Sequence, residues 1–154
     1  MTEGTGPTSQ LLGGDHAALD RRFEEFQATP VSDVPRRRAR FLEFASELRR
    51  HISVEERLLF PRFGEGDPAR RRLVERMLDE HREIEAALGR IERRLEAGAE
   101  PTDDAEAELR DGLWAHNARE EGMVYPWFDA HLPAEIARTV RRELEGDEGG
   151  GSGP

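Results

Sequence analysis

His51-Ile-Ser-Val-Glu55-Glu56-Arg-Leu-Leu-Phe60-Pro61-Arg-Phe63 recurs sixty-five residues later as His116-Asn-Ala-Arg-Glu120-Glu121-Gly-Met-Val-Tyr125-Pro126-Trp-Phe128. The histidine, both glutamates, the aromatic position, the proline and the final phenylalanine keep register. The same offset carries Asp15-His16-Ala-Ala-Leu19-Asp20 onto Glu80-His81-Arg-Glu-Ile84-Glu85. The chain therefore holds the same pair of elements twice in the same order, an internal repeat that decides the architecture before any single residue does. Four of the five histidines fall on it.

Apolar residues around these motifs recur at threes and fours, the period of an amphipathic helix. Leu12, His16, Leu19, Phe23 and Phe26 form the stripe of a first helix, which stops before Thr29-Pro30. Phe41, Phe44, Leu48, His51, Glu55, Leu58 and Leu59 form that of a second, with Ser32 as its expected cap, Pro35 in its first turn and its end near Phe63. Gly64 to Pro68 reads as a tight turn with a glycine stop, an Asp67 cap and a first-turn proline. A third helix follows to about Leu95, with Leu73, Val74, Met77, His81, Ile84, Glu85, Leu88, Ile91 and Leu95 on its stripe. Thr102 is the expected cap of a fourth, from about Asp103 to Asp129, whose stripe is Leu109, Leu113, His116, Glu120, Met123 and Trp127. Tyr125 and Phe60 face away from the histidine stripe, so Tyr125 is not a candidate ligand. Four long helices with short connections predict an all-α, up-down-up-down four-helix bundle with an internal two-fold repeat. A short fifth helix carrying Ile136, Val140 and Leu144 closes it. The expected division is a flexible lead-in over 1–10, the bundle over 11–144 and a disordered acidic, Gly-rich tail over 145–154.

Composition narrows the chemistry. With 154 residues there is room for one ordinary core. No cysteine is present, which excludes disulfides and thiolate ligands and leaves histidine and carboxylate for any metal. A net charge of −10 opposes a nucleic-acid partner, and the clusters Arg36 to Arg38 and Arg70 to Arg72 read as solvated helix starts. No apolar run approaches the roughly 20 residues of a membrane span, and Met1 to Gln10 lacks signal-peptide character, so a cytoplasmic location is expected.

Positions i and i+4 of a helix lie about 40° apart and one turn along the axis. His51 and Glu55, His116 and Glu120, His81 and Glu85, and His16 and Asp20 all have that relation, giving one histidine and one carboxylate per helix. A lone histidine on an apolar face is usually a satisfied core residue, but several buried carboxylates converging without a cation would each cost several kcal/mol or take up a proton. Imidazole and carboxylate without sulfur suit iron, manganese or zinc, and the number of candidate ligands suits two ions, with Glu55 and Glu120 placed to bridge them. Glu56 and Glu121, at i+5, lie about 140° round from their histidine and are expected in solvent or hydrogen-bonded to a ligand. His131 lies outside the repeat, where a surface or capping role is expected.

At these residues the chain resembles the haemerythrin-like, or HHE cation-binding, domain, over about Leu11 to Leu132. His16, then His51 with Glu55, then His81, then His116 with Glu120, with Leu59-Phe60-Pro61 or Val124-Tyr125-Pro126 trailing each pair, carries the resemblance. It implies a four-helix bundle holding two iron ions with an oxo or hydroxo bridge, with His16, His51, Glu55, His81, His116 and Glu120 as ligands. Oxygen-carrying haemerythrins place a second histidine where this chain has Glu85, and an aspartate at i+5 of the last helix, where Glu121 competes with Glu120. An extra carboxylate at the iron would favour the ferric state, so that oxygen is reduced rather than carried reversibly.

These readings point to a non-haem di-iron protein that binds dioxygen, peroxide or nitric oxide, with redox turnover as a possible activity. A non-catalytic iron or oxygen sensor or store is the alternative, and a di-iron oxygenase acting on a small organic molecule the second. The last requires a side pocket that no stretch of the sequence reveals. Leu58, Met123, Leu88 and Phe23 are expected to keep the centre dry.

Overall fold

The computed structural model describes residues 6–101 and 103–146. Thr102, the start of the lead-in and the tail beyond 146 lie outside the described residues. Helix α1 spans Pro7–Ala28, α2 residues 34–64, α3 Pro68–Glu96, α4 residues 103–131 and α5 Pro133–Leu144. No strand occurs among the described residues. The first four helices pack cyclically, α1 on α2, α2 on α3, α3 on α4 and α4 on α1, while α5 lies across one end against α1, α2 and α4. No described helix is long and apolar enough to cross a membrane.

The ends follow from local chemistry. Helix α1 begins at Pro7, earlier than expected, because Asp129 of α4 serves as its cap: its carboxylate accepts from the N–H groups of Gly6 (3.1 Å), Thr8 (2.8 Å) and Ser9 (3.1 Å). Three of the donors a helix start leaves free are satisfied by one distant side chain. Residues 6–10 thus belong to the bundle, and Thr8 is buried. The cap of α2 is Asp33 and not Ser32; its side chain accepts from Arg36 N at 3.3 Å. Asp67 caps α3 as expected, accepting from Ala69 N (2.8 Å) and Arg70 N (3.0 Å), while Gly66 turns with φ +79°.

Arg37 departs from its expected place in solvent. Buried under the bundle end, it donates to the carbonyls of Phe26 (3.2 Å) and Thr29 (2.8 Å), pairs with Glu100 at 2.8 Å and stacks 4.5 Å over the Phe26 ring. The residue ties the end of α1 and the α3–α4 loop to α2.

Both α2 and α4 contain one π-helical turn, Glu55–Leu59 and Glu120–Val124, where Phe60 N donates to Glu55 O and Tyr125 N to Glu120 O. Pro61 and Pro126 stand just beyond. Each lacks an N–H and would crowd the carbonyl four residues back, so a widened turn at that point relieves the conflict. The core is consequently in two parts. One contains Phe23, Phe26, Phe41, Phe44, Leu88 and Ile91; the other, capped by α5, contains Leu12, Leu59, Met77, Val124, Phe128 and Val140. Between them lies a polar layer.

Candidate metal centre

His16, His51, Glu55, His81, His116 and Glu120 meet in that layer, each supplied by the stripe of its own helix and all buried. They form two groups, His16, His51, Glu55 and Glu120, and Glu55, His81, His116 and Glu120, with one ligand atom from each residue within 4.8 Å of the others. The two carboxylates are common to both groups. His16 Nε2 lies 3.1 Å from His51 Nε2, and His81 Nε2 lies 2.9 Å from His116 Nε2.

A second ring fixes the imidazoles. Asp15 of α1 is 2.6 Å from His51 Nδ1 on α2, Glu56 of α2 is 2.7 Å from His81 Nδ1 on α3, Glu80 of α3 is 2.7 Å from His116 Nδ1 on α4, and Glu121 of α4 is 2.7 Å from His16 Nδ1 on α1. Each helix thus gives a carboxylate to the histidine of the next, and the ring closes. An ionised carboxylate only accepts, so every Nδ1–H donates outward and every Nε2 faces inward. Arg119 donates to Glu80 at 2.9 Å and, with His116, holds its pKa below the usual carboxylate value against the opposing effect of burial. Glu56 and Glu121 thereby sit on the outer nitrogens of His81 and His16. The contribution of Asp15 and Glu80 was in the sequence, since the pair obeys the same repeat, but its role depends on helix packing.

Whether these residues fit a cation can be judged from the carboxylates. Glu55 and Glu120 are 0% exposed, and Glu55 Oε1 and Glu120 Oε2 have no hydrogen-bond partner. They lie 3.3 Å from His81 Nε2 and 3.1 Å from His116 Nε2. Inward lone pairs from four imidazoles and two buried carboxylates repel unless protons or cations stand among them. Burial alone would lower the pKa of His51, but Glu55, Asp15 and Glu120 hold it well above the ordinary histidine value, and similar contacts raise His116 to about 9. Burial alone would raise Glu55, yet His51 and His81 hold it well below the usual range. The buried His/Glu cluster fits a metal site.

Tyr125 was expected to face away and does not. Its hydroxyl donates to Glu55, lies 2.9 Å from Glu120 Oε1 and 3.1 Å from His16 Nε2, and its ring is fully buried. The ninth residue after a histidine falls about 180° round an unbroken α-helix, but the π turn absorbs one residue and brings the aromatic back over the glutamate. Burial, then Glu120 and Glu55, push the phenol well above its ordinary pKa. Phe60, its repeat partner, likewise turns inward and stacks on His81 at 5.3 Å. The two halves of the site therefore differ, one having a hydroxyl and the other a phenyl face.

Other expectations are corrected. Glu85 is 52% exposed at its side chain and forms a two-pronged pair with Arg49 at 2.9 and 2.7 Å, away from both groups. The extra carboxylate held to favour the ferric state is thus absent from the cluster. Asp20 is exposed and belongs to neither group; burial, then Glu24 and Glu121, raise its pKa despite His16. Glu121, the competing candidate, lies on His16 Nδ1 and outside both groups. Met123, expected to keep the centre dry, is 54% exposed, because the π turn rotates it outward, and Leu58 is only partly buried. His131, by contrast, takes the surface and capping position expected of it: it is exposed, donates from Nδ1 to Trp127 O at 2.8 Å and stacks on the Trp127 ring. A side pocket, unseen in the sequence, runs between α1 and α4 to His16, with a volume of about 510 Å³.

The family model of the Hemerythrin HHE cation binding domain matches residues 8–128, which include all six residues of the two groups. No curated protein and no solved structure matches the chain.

Proposed function

The chain belongs to the hemerythrin HHE cation-binding family, and from that premise we propose that it is a non-haem di-iron protein that binds dioxygen, peroxide or nitric oxide, with redox turnover of these molecules. The observation that carries this reading is the pair of fully buried glutamates shared by two histidine pairs, each with an unpartnered oxygen. His16 and His51 would hold one ion, His81 and His116 the other, and Glu55 and Glu120 both. Iron supplies the electrons and the binding of small diatomic or peroxidic ligands when present.

The chain's own contribution is positional. The outer ring of Asp15, Glu56, Glu80 and Glu121 fixes each Nε2 inward and strengthens the imidazoles as donors. Tyr125 offers a proton donor on the His16 and His51 side, where Phe60 offers none on the other. Aromatic and aliphatic layers above and below exclude bulk water.

Ferrous-loaded protein admitted to air should develop near-ultraviolet absorption and consume added peroxide. Both should be lost in His51→Ala and Glu120→Ala while helicity by circular dichroism persists. A protein that takes up only zinc, or absorption unchanged by air, contradicts the reading. The pocket reaching His16 favours a second reading, a di-iron oxygenase acting on a small organic molecule.

A further inference from the structure

The internal repeat places two depressions at equivalent positions, one between α2 and α3 and one between α1 and α4, with volumes of about 500 and 510 Å³. Their chemistry has diverged. In the α2/α3 half, Arg49 reaches across and binds both Glu85 (2.9 and 2.7 Å) and Glu92 (2.8 and 2.7 Å). Arg57 and Arg82 also border that depression, paired with Glu143 and Asp79, so Arg49 alone holds Glu85.

Sixty-five residues away, Trp114 stands in the place of Arg49, Asp20 in that of Glu85 and Gln27 in that of Glu92. The chain has therefore kept a carboxylate and removed its guanidinium. Trp114 points outward, 75% exposed, and the floor it leaves is made by Leu19, Phe23, Phe44, Leu48 and Leu113. Of the carboxylates lining this groove, Glu121 is taken by His16 at 2.7 Å, and the single arginine, Arg110, is turned to Asp111 at 3.4 Å, which leaves Asp20 and Glu24. Neither Asp20 nor Glu24 has an ion-pair partner among the described residues. An apolar trough with an indole at its edge and an excess of carboxylates is complementary to a cation carried on an apolar body.

We infer that the groove between α1 and α4 binds an organic cation, an aryl or alkyl amine or guanidine, whose charged group takes beside Asp20 the place that the Arg49 guanidinium takes beside Glu85. The apolar body would lie on Phe23, Leu48 and Leu113, and Trp114 would cover it. The inference concerns binding in the groove and holds whether or not the centre carries iron.

The test is calorimetric titration of the full-length chain, metal-free and metal-loaded, with 4-phenylbutylamine and with its neutral counterpart 4-phenylbutanol at pH 7. The amine is expected to bind one per chain, at least tenfold more tightly than the alcohol. Asp20→Asn should weaken the amine at least fivefold and leave the alcohol unchanged. Trp114→Arg, which restores to this half the residue of the other, should abolish amine binding. Both positions are exposed, so the fold should survive, as circular dichroism would verify. Equal binding of amine and alcohol, no binding of the amine at millimolar concentration, or amine binding indifferent to Asp20→Asn would each overturn the inference.

Discussion

His116 shows what a single residue contributes. Its pKa of about 9 lies above the ordinary histidine value of 6.5, because Glu120, Glu55 and Glu80 outweigh its burial. A group raised in the folded state adds stability that is complete below its unfolded pKa and is lost as pH rises through the folded one. The metal-free protein should therefore lose stability between about pH 6.5 and pH 9, seen as a falling urea midpoint. Cation binding displaces protons from His51 and His116, whose pKa values the neighbouring carboxylates raise. Metal addition to a weakly buffered solution near neutral pH should thus release protons, and Glu55→Gln should reduce metal affinity more than Glu56→Gln, since Glu56 acts only through His81. Equal losses would contradict the separation of the two rings. The six inward residues were legible from spacing and family resemblance, because a periodic stripe tells which side chains share a face. Glu85 satisfied the same spacing and was misplaced, since Arg49 on the neighbouring helix, invisible to periodicity, draws it to the surface.

At the scale of the helix, register decides what reaches the centre. Tyr125 and Phe60 were expected outside because sequence counting assumed about 3.6 residues per turn throughout. Pro61 and Pro126, at matching places in both repeats, were the available sign that the winding changes there. Tyr125→Phe is expected to preserve the fold while removing the donor shared by Glu55 and Glu120, and should change the absorption of the metal-loaded protein more than Phe60→Leu does. Caps across elements were equally hidden, since their partners are distant in sequence. Asp129→Ala, which frees three N–H groups of α1, should cost about 1 kcal/mol in denaturant unfolding, the usual cost of losing a helix cap. Arg37→Ala should cost more, about 3 kcal/mol, because it removes several hydrogen bonds from one buried cation. A loss below 0.5 kcal/mol at Arg37 would show that the residue does not staple the bundle end.

For the molecule as a whole, the repeat explains why two pairs of helices form one bundle and why the candidate centre lies between them. Neither half can satisfy Glu55 or Glu120 alone, as each group draws histidines from one half and carboxylates from both. The bundle and the meeting of its histidines and glutamates in one layer were therefore readable from the offset of sixty-five residues. The open groove was not, because it depends on the outward turn of Trp114, which periodicity does not report. Cations held at the centre should stabilise the whole fold by about 2.7 kcal/mol per site at one hundred times Kd. The most direct test of the shared-carboxylate centre is metal analysis of the chain after anaerobic ferrous loading and removal of free metal. Two irons per chain are predicted; one iron or none would contradict a centre in which Glu55 and Glu120 serve two ions.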